Sequence, residues 1–136
     1  MQINVIYWSG TGNTEAMADF IKEGAESAGA TVVLKNVSDA SSDDVNCDVL
    51  VLGCSSMGDE VLEESEFEPY MESIEGSLSG KKVALFGSYG WGDGQWMRDW
   101  DDRVVAAGAT LAVESLIVNE APEGQECKDF GATIAK

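Results

Sequence analysis

Ser9-Gly10-Thr11-Gly12-Asn13-Thr14 packs three hydroxyls, a side-chain amide and two glycines into six consecutive residues. The segment follows an apolar run, Ile3–Trp8, and precedes a helical pattern, so its backbone N–H groups stand at a helix N-terminus. Hydroxyls and unpaired N–H groups at such a terminus suit a phosphate. A tight turn in which Ser and Thr merely cap the helix is the plainer alternative. Other phosphate motifs do not fit. A Walker loop needs Lys-Ser/Thr after its glycine, where this chain has Asn13-Thr14. The dinucleotide fingerprint needs a small residue where Glu15 stands, and the tyrosine-phosphatase pattern needs Arg where Glu60 stands after Cys54. No Lys or Arg lies near the loop, so neutral donors alone would hold the phosphate. That favours a resident cofactor over phosphoryl transfer, whose transition state needs positive charge.

Two further loops carry unusual residues. Ser55-Ser56-Met57-Gly58-Asp59-Glu60 follows a third apolar run. Gly58 permits a positive φ, and Met57 falls outside any core periodicity. A thioether there can lie against an aromatic face or fill a gap in a core. Ser88-Tyr89-Gly90-Trp91-Gly92-Asp93-Gly94 follows a fourth run. A Trp between glycines fits neither a helical nor a strand face, which marks Trp91 as a ligand or partner surface. Trp96 and Trp100, four apart, read instead as the buried stripe of a helix. Trp8 and Cys54 end buried strands and read as packing residues. Nothing cationic lies near Cys54 to activate it as a nucleophile.

Composition removes whole classes of chemistry. The chain has no histidine, so Ser-His-Asp and Cys-His systems, HExxH zinc sites and histidine-ligated haem are out of reach. With 25 acidic and 8 basic residues the net charge is −17, which repels nucleic acid. Cys47, Cys54 and Cys127 are odd in number and contain no CxxC spacing, so neither a disulfide framework nor a metal site is expected. No apolar stretch approaches 18 residues and no basic leader precedes one. The expectation is a cytoplasmic protein with reduced thiols and no membrane contact.

The three loops need a frame that brings them to one place. Ile3–Trp8, Thr31–Val37, Asp48–Cys54, Lys81–Ser88 and Ala109–Val118 read as five strands, the third and fourth apolar enough to be buried on both faces. Helical spacing joins Met17, Phe20, Ile21, Ala25 and Ala28; Phe67, Met71, Ile74 and Leu78; Trp96, Trp100 and Val104; and Cys127, Phe130 and Ile134. Ser38–Asn46 is polar and holds at most a short helix. The second helix has two competing starts: a Ser65/Glu68 capping box, or Pro69 as its first residue. Strand–helix alternation predicts a three-layer α/β fold, a parallel sheet with helices on both faces, built as one domain over residues 1–136. Ligands of such sheets bind beyond the carboxyl ends of the strands, where all three loops lie. A phosphate nest, a glycine peptide beside a thioether and an aromatic slab together suit a planar aromatic cofactor with a phosphorylated tail. Flavin mononucleotide (FMN) is the candidate.

The segments Tyr7–Glu15, Leu52–Glu60 and Ala84–Gly94 resemble the short-chain flavodoxins of anaerobic bacteria, the clostridial kind above all, and the similarity runs over essentially the whole chain. That fold's known sheet order, 2-1-3-4-5, and its FMN site come from the resemblance and not from the periodicity. The resemblance implies that Ser9, Gly10, Thr11, Gly12, Asn13, Thr14 and Ser55 hold the FMN phosphate, with Ser88 and Asn119 near the ribityl chain. Ser56, Asp59, Tyr89, Gly90 and Gly92 complete the implied loops. Met57 would cover one face of the ring and Trp91 the other. The Gly58 carbonyl would turn toward flavin N5 as the semiquinone forms, and Glu60 would accept from N3.

The implied function is a low-potential one-electron carrier working between the semiquinone and hydroquinone of FMN, with no catalysis of its own. Asp59, Glu60, Glu63, Glu64, Glu66 and Glu68 put six acids into ten residues beside the flavin loops. One such charge about 10 Å from an anionic ring costs roughly 0.4–1.7 kcal/mol, which lowers the second potential. A solvated helix face explains the same run, and both readings can hold. The alternative function is an FMN-dependent reductase domain, which needs a substrate pocket over the ring that Trp91 would obstruct. Partners are expected to be redox proteins with basic patches, met transiently by a monomer.

Overall fold

The structure, a computed structural model, describes residues 1–136. Strands and helices run in the order β1 (Gln2–Trp8), α1 (Asn13–Ser27), β2 (Thr31–Asn36), β3 (Val49–Cys54), α2 (Phe67–Ile74), β4 (Lys82–Tyr89), α3 (Gln95–Ala106), β5 (Thr110–Leu111), β6 (Leu116–Asn119) and α4 (Gly124–Ile134). The polar stretch between β2 and β3 forms only two single 3-10 turns, Val37–Asp39 and Ser42–Val45. All strand pairs are parallel, in the order β2-β1-β3-β4-β5, with β6 also on β4. This is the flavodoxin-like order that the resemblance implies.

Side chains alternate across the central strands and fill two cores. On one face Ile3, Val5, Val49, Val51 and Phe86 meet Met17 and Ile21 of α1 and Phe130 and Ile134 of α4. On the other, Ile6, Leu50, Leu52, Val83 and Leu85 meet Phe67, Met71 and Ile74 of α2 and Trp96, Trp100 and Val104 of α3. All six residues of β3 are buried, as its unbroken apolar run requires. Trp96 and Trp100 are core residues as the spacing predicts, and Trp100 stands edge-on to Phe67 with ring centroids 5.4 Å apart. No helix is long and apolar enough to cross a membrane.

Two expectations need correction. The run Ala109–Val118 is not one strand. Val83 pairs with Leu111 and Phe86 with Leu116, so five residues on the edge cover three on β4 and two leave the ladder. Glu114 and Ser115 lie in this break, where a charge stays in water and Ser115 Oγ donates to Asp101 of α3. The start of α2 follows neither of the two proposals. The helix begins at Phe67 with Pro69 as its third residue, and the cap is Glu63. Its carboxylate accepts N–H bonds from Ser65 (2.7 Å), Glu66 (2.9 Å) and Phe67 (3.3 Å). Glu63 is therefore buried and does not belong to the solvated acidic rim.

Candidate functional site

The carboxyl ends of β1, β3, β4 and β6 open into a cleft of about 530 Å³. That volume suits a small cofactor. Its position follows from the topology: the chain leaves β1 toward β2 on one side and returns as β3 on the other, so the loops diverge and leave a crevice. Gly10, Thr11 and Asn13 line it from the first loop, Ser55, Ser56 and Met57 from the second, and Ser88, Tyr89 and Gly90 from the third. Three contributors escaped the sequence reading: Trp8, Glu120 and Ala121. Trp8 is half-buried, with packing only part of its role. Glu120 and Ala121 follow the last strand at the same sheet edge, and that position was the signal available for them.

Side chains and backbone lace the loops together. Thr14 is fully buried beneath the first loop; its Oγ1 lies 2.7 Å from Ser55 Oγ and accepts from Ser88 N at 3.4 Å. Ser56 N donates to Ser88 O at 3.0 Å. Ser88 Oγ donates to Glu120 O at 2.6 Å, and Glu120 N returns to Tyr89 O at 2.8 Å. Ser9 Oγ accepts from Gly12 N at 3.1 Å, which folds the first loop tightly over α1. The N–H groups of Gly10 and Thr11 have no partner in the protein, and those of Asn13 and Thr14 belong to the first turn of α1, which cannot satisfy them itself.

The other residues named from the sequence lie off this lining. Gly58, with φ +48°, and exposed Asp59 sit at the tip of a turn that Met57 and Val61 close by two backbone bonds of 2.9 Å. Glu60 Oε1 accepts from the backbone N–H groups of Asp93, Gly94 and Gln95, each at 3.2 Å. Trp91 stands 63% exposed next to Gly92, and Asn119 ends β6 opposite Tyr89. Cys54 is fully buried below the cleft, and burial pushes its thiol up to about 12, so it offers no nucleophile.

No lysine or arginine lines the cleft. The lining includes the hydroxyl-bearing Thr11, Ser55, Ser56 and Ser88, while Trp8, Met57 and Tyr89 supply flat or soft apolar surface. The chemistry of this donor set fits FMN: neutral donors for a phosphate and apolar contacts for a planar ring.

The flavodoxin family's sequence model matches residues 5–131. A flavodoxin of Clostridium beijerinckii is 54% identical over 136 residues, covering 98% of this chain and 99% of that protein. A flavodoxin of Megasphaera elsdenii is 48% identical, covering 98% of each. The solution structure of two-electron reduced Megasphaera elsdenii flavodoxin superposes with a TM-score of 0.90 at 46% identity, again over 98% of each chain. Close identity along the whole chain, the same fold and a cleft with the right donors have one reading: the chain belongs to the flavodoxin family, whose members bind FMN and carry electrons.

Proposed function

We propose that residues 1–136 act as one domain and one monomer in the cytoplasm, holding FMN without a covalent bond and passing single electrons at low potential between other redox proteins. FMN supplies the redox chemistry; the chain has to bind it, orient it and set its energy. The first loop and Ser55 would hold the phosphate. Its negative charge would meet the unpaired N–H groups of Gly10 and Thr11 and the N-terminus of α1. Met57 would cover one ring face and Trp91 the other, while Ser88 and Asn119 would sit beside the tail. The Gly58 carbonyl would be the acceptor for N5, and Glu60 would offer N3 its second oxygen, which has no partner in the protein. Exposed Asp59, Glu64, Glu66 and Asp93 would oppose added negative charge on the ring and so lower the second potential.

The observation that carries this reading is a phosphate-type loop without a single cation, opening into a cleft with apolar surface. Such a site binds a phosphorylated ring and is ill-suited to transfer its phosphate. A reductase with its own organic substrate is not favoured by relatives that match from end to end as flavodoxins. Anaerobic spectroelectrochemistry tests the proposal. The protein should carry one FMN per chain and take up two electrons in separate steps, without bleaching by NADPH alone. A colourless protein that FMN cannot reconstitute, or one joint two-electron step, would overturn it.

A further inference from the structure

We infer that Glu60 is a latch that fastens the 57–61 turn to the loop that opens α3, so that the two segments move as one body. Glu60 is one of only two non-glycine residues with positive φ, at +57°. Backbone in that region persists where its surroundings hold it. Here the hold is the carboxylate itself, anchored on three consecutive N–H groups of Asp93, Gly94 and Gln95. These donors surround the N-terminus of α3, whose own cap residue, Gly94, has no side chain to satisfy them. The cap is instead an anion from a distant loop, in the position the helix dipole favours.

The receiving side is shaped for it. A Cβ on Gly92 would come within 2.3 Å of Glu60 Oε1 and 2.4 Å of its Cδ, so only glycine leaves room for the carboxylate. Arg98 steadies the same loop from the other side, donating to Asp93 O at 3.2 Å and to Asp93 Oδ1 at 2.9 Å. At its base the 57–61 segment is tied once more, by Ser56 N to Ser88 O. It is thus hinged on β4 and latched on α3. Met57 lies at one end of this connection and Trp91, next to Gly92, at the other. A change of backbone in the Gly58–Asp59 segment would then be transmitted through Glu60 to Trp91.

The apoprotein tests this without reference to the cofactor. Amide hydrogen exchange should be measured residue by residue in wild type, Glu60→Ala, Glu60→Gln and Gly92→Ala. Glu60→Ala should speed exchange at Asp93, Gly94 and Gln95, and also at Met57 and Val61, by roughly tenfold, the factor a lost cap is worth. Glu60→Gln, which keeps one acceptor, should recover part of that protection at both loops. Gly92→Ala, which displaces the carboxylate from outside the turn, should reproduce the faster exchange at Met57 and Val61. In the FMN-loaded protein, Glu60→Ala and Gly92→Ala should shift the gap between the two one-electron potentials in the same direction, and the double variant no further than one alone. If Glu60→Ala frees only Asp93–Gln95, Glu60 is a helix cap and the latch is wrong. Unchanged exchange at the turn in Gly92→Ala, or additive shifts in potential, would overturn it as well.

Discussion

Thr14 is a hydroxyl shared between loops, and removing it tests the lacing directly. In Thr14→Val the shape stays, Ser55 Oγ loses its neighbour and the buried Ser88 N–H is left without an acceptor. An unsatisfied buried donor costs about 1–3 kcal/mol. Urea unfolding of the apoprotein should show that loss, and a titration should show weaker FMN binding; unchanged values would mean that the bond is incidental. Gly58 is a second point of control. Its φ of +48° is a region that β-branched residues resist, at a cost of about 1–3 kcal/mol. Potentiometry of Gly58→Val should therefore give two one-electron potentials that lie closer together than in wild type. At this scale the sequence was readable wherever a residue type has little other use: hydroxyls and glycines before a helix, a serine pair after a buried strand, and Ser88 with Tyr89 after another. Of these, Gly10, Thr11, Ser55, Ser56, Ser88 and Tyr89 line the cleft, together with Asn13, Met57 and Gly90. Trp8 packs against the core as its position suggests, but its share in the cleft is not legible, because a large aromatic at the end of a buried strand looks like packing whichever way its free edge points. Glu120 escaped because a single acid after a strand has no pattern around it.

Among the elements, the buried strands were the easiest to read, since a continuous apolar run has few other homes. The edge was the hardest. Leu111 and Leu116–Val118 are apolar enough for one strand, and only the register against β4 reveals the two residues that leave the ladder. The start of α2 was missed for a related reason: Glu63 sits in a run of acids that looks solvated, and its burial depends on the path of a loop. The break between β5 and β6 has a pH consequence through Asp101. Burial, opposed by the Ser115 hydroxyl and aided by Asp102 and Glu114, holds its carboxyl above the usual range. A raised folded pKa gives stability that is fully present below the unfolded value of 3.8 and lost as pH rises through the folded one. At neutral pH the charged form thus weighs against folding. Asp101→Asn keeps an acceptor for Ser115 without the charge. Thermal melts should show the variant more stable than wild type at pH 7, with the difference shrinking as pH falls toward 4. A constant difference would show that the charge of Asp101 is not its source.

At the scale of the whole molecule, a net charge of −17 sets how it meets others. Exposed Glu120 lines the cleft, and exposed Asp59, Glu64, Glu66 and Asp93 belong to the segments that continue from its loops, so basic partners should be drawn to that end. Such attraction is screened over about 10 Å at 0.1 M salt. The second-order rate of electron transfer to a basic redox partner should fall steeply with ionic strength. The triple variant Asp59→Asn, Glu64→Gln, Glu66→Gln should slow it at low salt and flatten that dependence. Glu63→Gln should leave the salt dependence as it is, because Glu63 is inside. Stopped-flow rates that ignore salt in wild type would refute steering by this rim. The broken edge of the sheet also bears on crowding. An uninterrupted border strand exposes a ladder of unpaired N–H and C=O groups that another chain can extend. Here that border is two residues, a step out of register, then four more, with Glu114 in the gap. An incoming strand finds no straight run to copy, so along this border copies of the protein can pass each other at high concentration without zipping into fibres.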